Sequence, residues 1–478
     1  MDEYRESHPN NEFLADVFRK AIEYLNSLSG ANVGISPSKE KLFSMIDTEL
    51  PEHGVSPAAA MKSLIDGVEN GLIRSGSPRY FGFVIGGSTP VSIAADWLTT
   101  AWDQNAQAYG TSPAAAVMEE VVAKWLLELL GLPESASVGF VTGAQMANFT
   151  ALAVARNKVL KDHGWDFDAE GLQDSPHLRV LCSACCHGTV RSAIRLMGLG
   201  RKNIETVETD EQGRIETKEF KRTLGAYSGP TIVCVQAGNV NTGAFDPIAD
   251  IADLSRASGA WLHVDGAFGM WAAASPSLKH LVAGVELADS WATDAHKWLN
   301  VPYDSGLVIV RQPETHLKLK VEQCAYVGTT QVGHRNGSEW VPENSRRARG
   351  FVLYASLRCL GKNGVRRIVE NSCEMARLFA TELVKLPGVE VLNQVVLNQL
   401  LFRIIPTSVT ENNDVHASVA KRIQQTGVCW LGTTQWAGQT VLRISVSNWA
   451  TTAADVRRSV ECIREAIENE RETTANIG

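Results

Sequence analysis

Between about residues 95 and 310 the chain alternates short apolar runs with helical segments, and that alternation narrows its fold more than any other feature. The runs fall at 138–142, 179–183, 231–236, 261–265, 290–293 and 307–311. Each is too short for a helix and reads as a buried strand, with helical stretches such as 247–257 between them. One helix is fully punctuated: Ser112 can cap it, Pro113 suits its first position, and Gly131 and Pro133 stop it. Within it Val117, Val121 and Trp125, flanked by Met118, Val122, Leu126 and Leu129, form one apolar face. Such alternation predicts an α/β fold with a large, mostly parallel sheet.

At 478 residues the chain exceeds one domain of ordinary size, so two or three domains are expected. The pattern divides into an N-terminal helical and irregular segment at 1–94, a large α/β domain at 95–365 and a small α+β domain at 366–478. The last is expected to hold a helix at 366–386, strands near 389–393, 400–405 and 441–446, and a final amphipathic helix at 453–467. A net charge of -8 lacks the basic face that nucleic acid demands, and Arg346-Arg347-Ala348-Arg349 is too short to supply one. No apolar run reaches the roughly 18 residues of a membrane span. Neither nucleic acid nor membrane is therefore an expected partner. The cysteines are scattered apart from Cys182, Cys185 and Cys186, which is not a disulfide scaffold. With the acidic start Met1-Asp2-Glu3-Tyr4-Arg5-Glu6, a reducing, cytoplasmic setting is expected.

Ligands of open α/β sheets collect at the carboxyl ends of the strands. After 138–142 come Gly143-Ala144-Gln145, small residues opening a helix, where backbone N–H groups and the helix dipole suit a phosphate. After 179–183 comes His187. The run 261–265 ends on Asp265, with His263 just before it, and 290–293 leads into Asp294-Ala295-His296-Lys297. A strand-end aspartate alone usually caps a helix, and a lone lysine is usually solvated. Their convergence with a histidine on one anion loop is harder to explain that way. Pyridoxal 5′-phosphate (PLP) needs this set. A lysine amine carries it as a Schiff base, and a carboxylate keeps its ring nitrogen protonated. A flat side chain covers the ring, and backbone donors hold the phosphate. The Cys182–His187 stretch lacks a second Cys/His pair at zinc spacing, so no metal is expected. Gly86-Gly87-Ser88-Thr89 lacks the lysine of a nucleotide loop, and Ser36-Pro37-Ser38-Lys39 matches a hydrolase motif only by chance.

Trp261-Leu262-His263-Val264-Asp265-Gly266-Ala267 resembles the "HVDAA" motif of the group II PLP-dependent decarboxylases, which include the aromatic-amino-acid, glutamate and histidine decarboxylases. Ala288-Asp289-Ser290 with His296-Lys297-Trp298-Leu299, Gly243-Ala244-Phe245-Asp246-Pro247 and Ser345-Arg346-Arg347-Ala348-Arg349 extend the likeness. The resemblance implies the fold-type I aminotransferase architecture, built as a homodimer with shared active sites. It also implies α-decarboxylation of an L-amino acid to an amine and CO2. Carried over by position, Lys297 is the Schiff-base lysine, Asp265 the partner of the ring nitrogen, and His187 the residue stacked on the ring, with Ala267 on the opposite face. Gly143, Ala144, Gln145, Asn239, Asp294 and His296 fall at cofactor-binding positions. Tyr326, in Cys324-Ala325-Tyr326-Val327, matches the mobile-loop tyrosine that returns a proton to the carbon CO2 leaves.

Three departures from the family pattern stand out. Gly238-Asn239-Val240 replaces a Gly-Thr-Thr sequence, and Asp294 replaces an asparagine, placing an acid beside a phosphate unless it pairs elsewhere. Asn105 and Gln107 make Asp103–Thr111, the segment expected to reach the partner's site, polar. The same cofactor site could instead serve oxidative decarboxylation to an aldehyde, β-elimination with C–S cleavage, or transamination. A non-catalytic protein of the same fold is countered by the joint presence of Lys297, Asp265 and His187.

Overall fold

The computed structural model describes residues 12–34, 37–319, 333–405 and 415–475. Seven strands form one sheet: β1 (Ser137–Val141), β2 (Arg179–Ser183), β3 (Ile204–Val207), β4 (Thr231–Gln236), β5 (Trp261–Asp265), β6 (Ser290–Asp294) and β7 (Gly306–Val310). Their order is β1-β7-β6-β5-β4-β2-β3. Strands β2 to β6 run parallel, while β7 is antiparallel to both β6 and β1. The carboxyl ends of β1, β2, β4, β5 and β6 therefore share one edge. The expected runs became strands within a residue of their predicted ends, because each is buried throughout. The edge strand β3 was missed, since Glu205 and Thr206 leave it without an apolar run.

The helices that frame the site are α1 (Pro90–Trp102), α2 (Pro113–Leu130), α3 (Ala144–Asp162), α4 (Gly188–Leu196) and α5 (Ile248–Ala257). Ser112 caps α2 by accepting from Ala115 N–H, and Gly131 ends it in the left-handed conformation, as the sequence predicts. Helix α3 is buried along most of its length. Its row Ala147, Ala151 and Ala155, one helical face at i, i+4 and i+8, lets it lie close on the sheet. On the other face, α2 and α5 join Trp271, Trp291 and Trp298 in the main core.

Helix α6 (Gly350–Leu383) begins well before the expected 366 and crosses the 365/366 division. Gly361, at φ 59°, interrupts it, and its second half packs on the small sheet. That sheet is antiparallel, ordered β10-β11-β9-β8, from β8 (Val389–Val391), β9 (Gln399–Ile404), β10 (Gly432–Trp436) and β11 (Gln439–Ser445). Strand β10 was missed, because Thr433, Thr434 and Gln435 make it polar. Helices α7 (Val415–Thr426) and α8 (Ala453–Ala475) cover this sheet. Buried Arg79 ties the N-terminal segment to it, donating to the carbonyls of Ser29, Ala31 and Val428.

Candidate active site

Strand β6 ends on Asp294, and the chain turns at once through His296 to Lys297. Asn300 braces the turn by donating from Nδ2 to the Trp298 carbonyl (2.8 Å) and the Ser447 carbonyl (3.0 Å). Gly86 presses on it from outside: a Cβ there would lie 2.1 Å from the Lys297 carbonyl oxygen. The glycine pair at 86–87 is thus a close-packing surface for the lysine turn, a role its sequence did not reveal.

The Lys297 amine lies 2.9 Å from Asp294 Oδ2. Asp294 Oδ1 accepts from the Ala144 N–H at the start of α3 (2.5 Å) and lies 3.3 Å from His296 Nε2. The acid expected to be uncomfortable here is therefore paired on three sides and almost fully buried. His296 Nδ1 accepts from Ser305 N–H at 3.1 Å, so Nε2 carries the hydrogen and directs it at Asp294. Burial pushes the His296 pKa down against the pull of Asp294. Gly143 is required at this junction, since a Cβ would lie 2.9 Å from His296 Cε1.

Asp265 ends β5 beside β6 and is buried. Its Oδ1 accepts a single long bond, 3.3 Å from Ala267 N–H, and it joins no ion pair among the described residues. Burial pushes its carboxyl pKa up, while His187 and Lys297 pull the other way. His263 lies deeper on the same strand face, bound to Ser290 Oγ (2.9 Å) and Asn148 Oδ1 (2.8 Å), and serves the core. His187 caps α4: its Nδ1 accepts from Thr189 N–H at 3.3 Å and lies 2.8 Å from Thr189 Oγ1, leaving Nε2 for a ligand. Its pKa is pushed down mainly by burial, with Lys297 and Arg443 adding repulsion against Asp265 and Asp294.

Arg443, on β11 of the small sheet, was not anticipated. Nη1 donates to the Val240 carbonyl at 3.0 Å, and the guanidinium has no carboxylate partner among the described residues. Its sequence signal is slight: one basic residue between Leu442 and Ile444 in an apolar strand. Ala267 links β5 to β6, its carbonyl accepting from Asp294 N–H at 2.9 Å. Ala144 is buried and Gln145 exposed at the α3 start. Asn239 spends its Oδ1 on the N–H groups of Asn241 (2.9 Å) and Thr242 (3.3 Å), so its carboxamide oxygen shapes the turn, while Nδ2 is buried without a partner. Asn105 is structural too, its Oδ1 accepting from Gln107 N–H (3.1 Å) and Arg346 N–H (3.2 Å). Its polarity therefore says little about a substrate. Tyr326 lies outside the described residues.

These residues suit PLP. A buried carboxylate with one long hydrogen bond and no cation is costly on its own. A protonated ring nitrogen is the kind of partner Asp265 lacks. Lys297 offers the primary amine, and His187 offers a flat ring.

The chain as a whole has known relatives. Residues 39–405 match the model of the pyridoxal-dependent decarboxylase conserved domain. Over 445 residues the chain is 29% identical to an aromatic-L-amino-acid decarboxylase of Bacillus atrophaeus, covering 91% of this chain and 90% of that protein. It is 26% identical to human cysteine sulfinic acid decarboxylase, covering 87% of each. The crystal structure of Oryza sativa TDC with PLP and tryptamine superposes with a TM-score of 0.89 at 22% identity, over 97% of this chain and 99% of that one, which establishes the shared fold. Fold and site together define a PLP-dependent enzyme of fold-type I. The chain belongs to the pyridoxal-dependent decarboxylase family, the carboxy-lyases that act on amino acids.

Proposed function

We propose that the protein removes the α-carboxylate of an L-amino acid, releasing CO2 and an amine, with Lys297, Asp265, His187 and Tyr326 as the acting residues. The observation that carries this reading is Asp265, buried beside the strand that leads to Lys297 with no ion-pair partner among the described residues. Bound PLP supplies the sink for the electron pair left behind when CO2 departs. Lys297 would hold the cofactor through Nζ. Asp265 would hold a proton on the ring nitrogen, and His187 and Ala267 would flank the ring. Gly143, Ala144, Gln145 and His296 border the phosphate end, where Asp294 fixes the start of α3 and the lysine turn. Arg443, held by the Val240 carbonyl, has donors left for the substrate carboxylate, and its charge acts on His187 across the site. By register, the Tyr326 hydroxyl returns a proton to the α-carbon.

The site is shared between two copies of the chain. Support comes from Leu98 and Trp102 of α1 and Val117 of α2, each about half exposed beside the 103–111 segment.

The test is to incubate the PLP-loaded protein with a panel of carboxyl-labelled L-amino acids, scoring CO2, amine, aldehyde and ammonia. Equal amounts of labelled CO2 and amine from at least one substrate are expected. Aldehyde with ammonia, or a keto acid retaining the label, would overturn the reading.

A further inference from the structure

Cys182 and Cys186 lie with their sulfurs 3.2 Å apart at the edge of the site. Cys182 is fixed: it sits inside β2, paired with Thr206 on β3 and Cys234 on β4, and is buried. Cys186 is in the turn that follows, its N–H donating to the Ser183 carbonyl at 2.9 Å, and it immediately precedes His187. It also lines a cavity of about 590 Å³ between the large and small sheets, together with Cys185, Thr209 and Trp436. Arg191 reaches back to the Ala184 carbonyl (3.3 Å), bringing positive charge to this turn. Mere packing of two small apolar side chains would not require one of them to face a cavity, nor a cation beside it. The Cys186 thiol is pulled down in pKa, first by its contact with Cys182 and also by Arg191, against burial.

We propose that Cys182 and Cys186 form a redox-sensitive dithiol, oxidised by a peroxide entering this cavity, whose disulfide displaces His187. The Cys186 thiolate attacks one peroxide oxygen, becoming a sulfenic acid as the O–O bond breaks and the first water leaves. Cys182 then attacks the Cys186 sulfur and expels the second water. Two thiols lose two electrons and two protons, and one peroxide becomes two waters. A dithiol reductant reverses the change. The sulfurs must close from 3.2 Å to about 2.05 Å. Because β2 holds Cys182, the turn moves, and His187 moves with it. A shift of about 1 Å in a positioned group lowers turnover by about ten- to a hundredfold. The effect on turnover rests on the proposed decarboxylase reading, whereas bond formation does not.

The test treats the holoenzyme with hydrogen peroxide, blocks remaining thiols with N-ethylmaleimide and maps the tryptic peptide 180–191. Expected are a peptide two hydrogens lighter, with the label on Cys185 alone, a change in the visible spectrum of the bound cofactor, and dithiothreitol-reversible loss of turnover. Cys182→Ala and Cys186→Ser should each abolish the disulfide and the reversible loss. Labelling of all three cysteines, a bond to Cys185, or a Cys182–Cys186 bond that leaves spectrum and turnover unchanged would overturn the proposal. If untreated protein decarboxylates nothing, the functional reading fails, and the peptide map with the spectrum still decides this one.

Discussion

Truncating Arg443 should weaken substrate binding without disabling the chemistry. One of its guanidinium nitrogens is committed to the Val240 carbonyl, and the remaining donors have no carboxylate partner among the described residues. Hydrogen bonds to a charged group contribute about 1.5–3 kcal/mol each. Losing the forked contact in Arg443→Ala should therefore cost about 3 kcal/mol, or roughly a hundredfold in kcat/KM at about 1.4 kcal/mol per factor of ten. Arg443→Lys keeps the charge without the fork and should lose about tenfold. The contact is to the substrate carboxylate, and because the C–C bond is only partly broken in the transition state it is made about equally there and in the ground state. The loss should appear in KM, with kcat little changed. Steady-state CO2 release measures both constants. The amine product, which has no carboxylate, should inhibit wild type and variants equally. A KM within threefold of wild type, or parallel weakening of the amine, would refute Arg443 as the carboxylate anchor.

Other consequences follow from particular contacts. Glu119 is buried between Arg335 Nε (3.1 Å) and Arg346 Nη2, so Glu119→Gln strands two buried cations and should cost about 3–5 kcal/mol in urea unfolding. A loss under about 1 kcal/mol would contradict this. Burial holds the pKa values of His263 and His316 near 3, against 6.5 ordinarily. With the folded values depressed, their contribution is complete above pH 6.5 and is lost as pH falls toward 3, at roughly 1.4 kcal/mol per unit for each. Urea midpoints should therefore be lower at pH 5 than at pH 7, with a shallower fall in His316→Asn; a flat or inverted profile counts against the two histidines. Asp294→Asn keeps an acceptor for the Ala144 N–H but removes negative charge from the α3 start. Reconstitution of the apoprotein should show tighter PLP binding, whereas weaker binding would mean that the carboxylate helps to hold the cofactor.

What could be read from the sequence depended on how local the signal was. Buried strands carry their own apolar runs, so β2, β4 and β5 were placed to the residue. Edge strands β3 and β10 were lost because their solvent-facing polar residues hide the pattern. The expected start of the long helix at 366 missed its first turns because Gly361 and Gly364 look like a terminus, although the chain remains helical on both sides of Gly361. At the site, Lys297, Asp265 and His187 each follow or end a strand and could be found by that rule. Arg443 and Gly86 arrive from distant segments, and only the packing of the small sheet and the N-terminal segment on the lysine turn brings them in. The three-way pairing of Asp294 was equally out of reach, because Ala144 lies far away in sequence.

The covalent role of Lys297 underlies the rest. The direct measurement is borohydride reduction of the PLP-loaded protein, followed by peptide mapping by mass spectrometry, for wild type and Lys297→Ala. Lys297 is predicted to carry the reduced cofactor in wild type, with no lysine labelled in the variant. Label on another lysine, or a variant that still traps the cofactor in its folded site, would contradict it.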